Sequence, residues 1–134
     1  MPVIFDTSVA VAIRESDTGI MERAEQLRSI ALLSVLSIVE LEGGVPLAPE
    51  GAHVRRQLLD ELYATMEIVD FGQREARQYG VIVDHLGFSR SKIIDRMIAA
   101  QAIVAGATLA TLNPRDFRAI SGLAIDDWSA AASG

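Results

Sequence analysis

The feature that most constrains this chain is the alternation of short, continuously apolar runs with longer segments of helical period. The apolar runs are Val3–Phe5 closing on Asp6, "IALLSVLS" (30–37), "MEIVDF" (66–71), "ATLATL" (107–112) and "LAIDDW" (123–128). They are too short for core helices and carry no polar alternation, so they read as strands buried on both faces. Helical patterns fill the spaces between them. Residues 7–15 open one, and 19–28 place Ile20, Ala24 and Leu27 on one face. "IVELEGG" starts a helix that Gly43 and Gly44 should stop, and residues 51–66 carry Val54, Leu58, Leu62 and Met66 at i, i+4. Residues 73–87 turn Ala76, Tyr79, Val83 and Leu86 inward and end at Gly87, while 92–105 is apolar on nearly every side and hence central. Strands of this kind joined by helices imply a three-layer α/β/α sandwich around a mainly parallel sheet of four to five strands, with right-handed crossovers. One domain over residues 1–129 accounts for the pattern, with 130–134 as a frayed tail.

The chain contains no cysteine, which fits a reducing compartment and excludes thiolate metal sites and disulfides. The N-terminus has no basic stretch followed by a long apolar run. The longest apolar stretch, 97–112, is interrupted by Gln101 and Gly106 and is too short to cross a bilayer. A cytoplasmic protein without membrane contact is therefore expected. The net charge of −6, from 18 acidic and 12 basic residues, taken alone argues against a polyanionic partner.

Four acids qualify that argument. Asp6 ends the first strand and can cap the first helix. Ser37 and Glu40 fit the Ser-x-x-Glu capping box after the second strand. Asp95 lies near the start of the 92–105 helix, where a carboxylate suits the dipole. Asn113 can cap and Pro114 suits the first helical position after the fourth strand, with Asp116 three residues beyond Asn113. Singly, each acid reads best as a helix-start residue. Together they read differently, because helix starts that follow parallel strands share one edge of the sheet, where α/β proteins gather function. Asp6, Glu40, Asp95 and Asp116 should face one small region. Ionised carboxylates crowded there repel one another by several kcal/mol unless a cation joins them.

Oxygen-only donors, with no cysteine, point to a hard ion, Mg²⁺ or Mn²⁺, held by Asp6, Asp95 and Asp116. His53 and His85 fall in predicted helices away from that edge. Thr7, Ser8, Thr111 and Asn113 add small polar groups beside the acids, although capping and strand propensity explain the hydroxyls equally well. Such a site suits metal-dependent phosphodiester hydrolysis. Without the four clustered acids the balance falls to 14 acidic against 12 basic residues. Arg14, Arg90, Lys92, Arg96 and Arg115 are candidates for contacting an RNA backbone, and solvated helix ends explain each of them as well.

"FDTSV", "SIVELEGG", "DRMIAAQAIVAGATLATLNPRDF" and the closing "LAIDDW" resemble the PIN-domain ribonucleases, and most closely the VapC toxins of toxin–antitoxin pairs. The resemblance covers nearly the whole chain. It implies an acidic pocket that binds Mg²⁺ or Mn²⁺ and cleaves RNA, with transfer and ribosomal RNA among the candidates, so that translation stops. The family's first acid falls on Asp6, its glutamate on Glu40 and its third acid on Asp95; the polar residue after the first acid is Thr7 or Ser8. Many relatives carry the last acid where this chain has Asn113, and others carry it at the position of Asp116. The resemblance further implies a homodimer and a cognate VapB-type antitoxin whose C-terminal segment crosses the toxin and blocks the pocket. The apolar faces of 19–28 and 51–66 are candidates for its groove. Two other readings use the same residues. One is a non-catalytic PIN-like interaction domain whose acids only cap. The other is a Mg²⁺-binding receiver-type domain, for which Asp70 is the one supporting residue and in which the lysine lies in the wrong place, at Lys92.

Overall fold

The structure is a computed structural model that describes residues 1–44 and 50–133. Its sheet has five strands, all parallel, in the order β3-β2-β1-β4-β5. These are β1 (Val3–Phe5), β2 (Ala31–Ser34), β3 (Glu67–Val69), β4 (Thr108–Thr111) and β5 (Ala124–Asp127). The helices are α1 (Thr7–Arg14), α2 (Thr18–Gln26), α3 (Val35–Gly44), α4 (Ala52–Thr65), α5 (Gln73–Leu86) and α6 (Ile93–Ala105).

The alternation of side chains along β1 separates the layers. Ile4 points to one face and packs with Ile98, Leu109 and Phe117, under α5 and α6. Val3 and Phe5 point to the other, against Val9, Ile20 and Trp128, under α1 and α2. Trp128 is fully buried, with its ring edge-on to Phe5 at 5.2 Å between centroids. A third cluster, Leu33, Leu41, Leu59 and Leu62, seats α3 and α4 on the α1 side. The three-layer expectation is thereby met, at its upper number of strands.

Several boundaries and faces differ from the sequence expectation. The second strand stops at Ser34, because Ser34 Oγ accepts the Leu36 amide and α3 begins at Val35. α3 runs through Gly43 and Gly44 rather than stopping before them. In α4 the buried residues are Leu59 and Leu62, and Val54 is 56% exposed. In α5 Ile82 is the buried residue, while Ala76 and Leu86 are exposed. Of the tail expected to fray, Gly134 lies outside the described residues, and Ser133 is hydrogen-bonded to the start of α2. Its amide and hydroxyl donate to the Asp17 carboxylate, the N-cap of α2, and Gly19 donates its amide to Ser133 Oγ. Gly19 is required there, since a Cβ would lie 1.8 Å from the Ala131 carbonyl oxygen.

Candidate active site

Asp6 follows the last residue of the central strand. Its amide donates to Ala110 O at 3.0 Å, continuing the β1–β4 ladder by one bond. The side chain is 3% exposed and turns back over the start of α1. Oδ1 accepts from the Val9 amide at 3.0 Å and from Ser8 Oγ at 2.6 Å. Oδ2 accepts from Thr111 Oγ1 at 2.6 Å, across 105 residues of chain. Capping and a place in the site are therefore compatible roles for one carboxylate. The hydroxyls are themselves fixed, Ser8 Oγ accepting from the Leu112 amide and Thr111 Oγ1 from the Asn113 amide. Burial pushes the Asp6 carboxyl above its ordinary value, and the hydrogen bonds from Ser8, Thr111 and Val9 pull back against that without cancelling it.

Glu40 reaches the same edge from α3. Thr7 Oγ1 donates to Glu40 Oε1 at 2.6 Å and stands 3.1 Å from Ser37 Oγ. The Ser37–Glu40 capping box is corrected accordingly. Ser37 is buried two residues inside α3, and Ser34 is the residue that bonds the α3 start. Asn113 likewise does not cap with its side chain, although Pro114 occupies the first helical position of a short turn that carries Asp116.

Asp95 lies in the first turn of α6. Its carboxyl is pushed up to about 6, first by burial and then by the negative charges of Asp116, Asp6 and Glu40, with Lys92 opposing. Asp95 therefore feels the negative charge of the other three acids. Lys92 Nζ stands 3.8 Å from Asp116 Oδ1, a half-exposed pair that contributes little to stability. Among the described residues, no three carboxylate, imidazole or thiol side chains close into a metal-enclosing group. The four acids offer only oxygen donors, the kind that hard cations take.

The basic residues divide. Arg90 and Arg115 are exposed beside the rim acids. Arg96 is buried and donates to the Gly87 carbonyl at 2.7 Å, so its guanidinium is turned inward rather than toward a ligand. Arg14 sits at the far end of α1, about 12 Å of helix from Asp6, and pairs with Glu15. His53 and His85 lie on exposed faces of α4 and α5. One residue near the rim escaped sequence reasoning. Gln101, 1% exposed, accepts from Ser34 Oγ and donates to the carbonyls of Val69 and Asp70, joining the ends of β2 and β3 to α6. A lone amide inside an otherwise apolar helix was its signal, since such a group must find partners when buried.

On the α1 side, α2 and α4 border an apolar cleft of about 240 Å³. Ile13, Met21, Ala24, Leu58 and Met66 are among its lining residues, which places parts of 19–28 and 51–66 on one groove.

Known proteins resemble this chain in sequence and fold. The ribonuclease VapC2 of Rickettsia felis is 30% identical, over 96% of this chain and 98% of its own length. The tRNA(fMet)-specific endonuclease VapC of Salmonella typhimurium is 28% identical, over 93% of this chain and 96% of its own. Among solved structures, VapBC2 of Rickettsia felis bound to a promoter DNA fragment superposes with a TM-score of 0.83 at 26% identity, covering 96% of this chain and 99% of that one. The DNA-bound VapBC of Salmonella typhimurium gives a TM-score of 0.83 at 25% identity, covering 96% and 98%. The PIN domain model matches residues 3–123, from the first strand to the threshold of the last, and the chain belongs to the PIN domain family.

Proposed function

We propose that this chain is a metal-dependent endoribonuclease, the toxin of a toxin–antitoxin pair, which hydrolyses RNA phosphodiester bonds and thereby inhibits translation. The observation that carries the reading is the rim itself. The Asp95 carboxyl is held near 6 partly by the charges of Asp116, Asp6 and Glu40, a repulsion that a divalent cation would relieve. The kinship to VapC ribonucleases supports the substrate class.

Asp6, Asp95 and Asp116 would hold Mg²⁺ or Mn²⁺, with Glu40 beside them. Such an ion, when bound, supplies an acidified water and charge neutralisation at the scissile phosphate. The protein supplies orientation. Ser8 and Thr111 fix the Asp6 carboxylate and Thr7 fixes Glu40, while the exposed Arg90 and Arg115 would meet the RNA backbone. Asn113, exposed after β4, would help to position a water or ligand.

The partner reading follows the same kinship, since the solved relatives are VapBC assemblies. A VapB-type antitoxin would lay an apolar segment in the α2–α4 cleft. A homodimer working in the cytoplasm completes the proposal; among the described residues no helix is long and apolar enough to cross a membrane. The test is RNA cleavage by purified protein with Mg²⁺ or Mn²⁺, compared with Asp6→Asn, Asp95→Asn and Asp116→Asn. Each should lose cleavage while staying folded. Undiminished cleavage by all three, with contaminating nuclease excluded, removes the assignment. Absence of cleavage by the parent protein favours a non-catalytic interaction domain.

A further inference from the structure

Phe88 has no role in the site as drawn so far. It is 67% exposed, the most exposed large apolar side chain among the described residues after Met1. A single exposed apolar side chain is ordinary on a protein surface, but this one stands among cations. Its setting is specific. Phe88 follows Gly87, the C-cap of α5, whose φ of +79° is one that residues with a Cβ rarely adopt. The Gly87 carbonyl is held by the buried Arg96, the residue after Asp95. The chain then passes through a tight turn, Arg90–Lys92, in which the Lys92 amide donates to Ser89 O. Arg90 is exposed, and Lys92 reaches Asp116. An aromatic ring, an exposed guanidinium and an ammonium thus follow one another within five residues, on a connection anchored next to Asp95.

Unpaired bases stack on aromatic faces whatever their identity, while neighbouring cations track the phosphates. We propose that Phe88 is the stacking platform for one unpaired base of a single-stranded RNA, with Arg90 on the adjoining phosphate. The α5–α6 connection thereby leads the strand onto the acidic rim. The substrate class rests on the ribonuclease reading; the platform itself rests on exposure, order and neighbouring charge.

The experiment separates the two. Binding of a single-stranded RNA of about a dozen nucleotides carrying one 2-aminopurine is followed by fluorescence in EDTA, where no metal-dependent cleavage occurs. The parent protein should bind and quench the probe. Phe88→Ala should bind about tenfold more weakly and lose the quench, and Phe88→Trp should restore both. Arg90→Gln should flatten the salt dependence of binding, the slope falling by about 0.7. No binding by the parent protein, or equal affinity and quench in Phe88→Ala, overturns the proposal. So does unchanged affinity accompanied by a shift in oligomeric state on light scattering, which would make Phe88 a contact between protein copies. Cleavage enters none of these readouts, so an inactive parent that still binds through Phe88 would refute the enzyme reading alone.

Discussion

Replacing Asp95 by asparagine should stabilise the metal-free protein, contrary to the usual effect of altering a half-buried polar residue. In the folded chain the carboxyl is raised from 3.8 to about 6. At about 1.4 kcal/mol per tenfold, that separation sets an upper limit of about 3 kcal/mol on the penalty for ionising it in place. The side chain is only partly buried, and solvent and salt screen its neighbours, so about 1–2 kcal/mol is the usable figure. Asparagine also forfeits the favourable interaction of a carboxylate with the α6 start, about 0.3–1 kcal/mol. The net gain is about 1 kcal/mol, or about 3–4 °C in melting temperature for a chain of this length. The sign with pH follows from linkage. Because the folded carboxyl holds its proton to a higher pH than the unfolded one, wild-type stability falls as pH rises from about 4 to about 6, and the full penalty applies above that window. The advantage of Asp95→Asn should therefore be greatest near neutral pH, shrink through about pH 5 and vanish below about pH 4. Thermal melts in EDTA across that range measure it. Millimolar Mn²⁺ should then raise the parent and not the variant, by about 2.7 kcal/mol at a hundredfold excess over Kd. A variant that melts at or below the parent near neutral pH, or an advantage independent of pH, would refute the account of repelling acids and leave Asp95 as a helix-start residue.

Two other substitutions probe the framework. Thr111→Val removes one donor from the buried Asp6 and an acceptor from the Asn113 amide, and should cost about 1–3 kcal/mol in urea unfolding. The loss should grow with rising pH, because the Thr111 hydrogen bond favours the ionised Asp6, and a change under about 0.5 kcal/mol would show the hydroxyl to be dispensable. Gly19→Ala forces a Cβ into the Ala131 carbonyl. It should destabilise by about 1–3 kcal/mol and release the segment around Ser133 to proteolysis; the small gain normally expected from Ala in a helix would mean that the tail does not sit there.

Asp6 was legible because it comes directly after an apolar strand, at an edge that parallel strands share, whereas Glu40 lies inside α3 and Asp116 in the turn beyond β4. The helix faces were less legible. Spacing of i, i+4 drifts by about 40° per step, so Val54 and Met66 cannot share a side of α4, and Leu59 and Leu62 take the buried stripe instead. The end of β2 was hidden because the first residues of α3 are as apolar as the strand, and only the Ser34 hydroxyl marks the change. Gln101 was visible as a residue, but its three partners come from distant segments that no local pattern joins.

The strand order carries a consequence for synthesis. β1 is made first, yet its two neighbours are β2 and β4, and the latter pairs with it only after more than three quarters of the chain exists. Until Thr111 emerges from the ribosome, Asp6 lacks the partner that orders its second oxygen, and Asp95 and Asp116 have no completed rim to join. A nascent polypeptide of this topology therefore cannot close its central sheet, or fix the Asp6 carboxyl, until most of its length has been made.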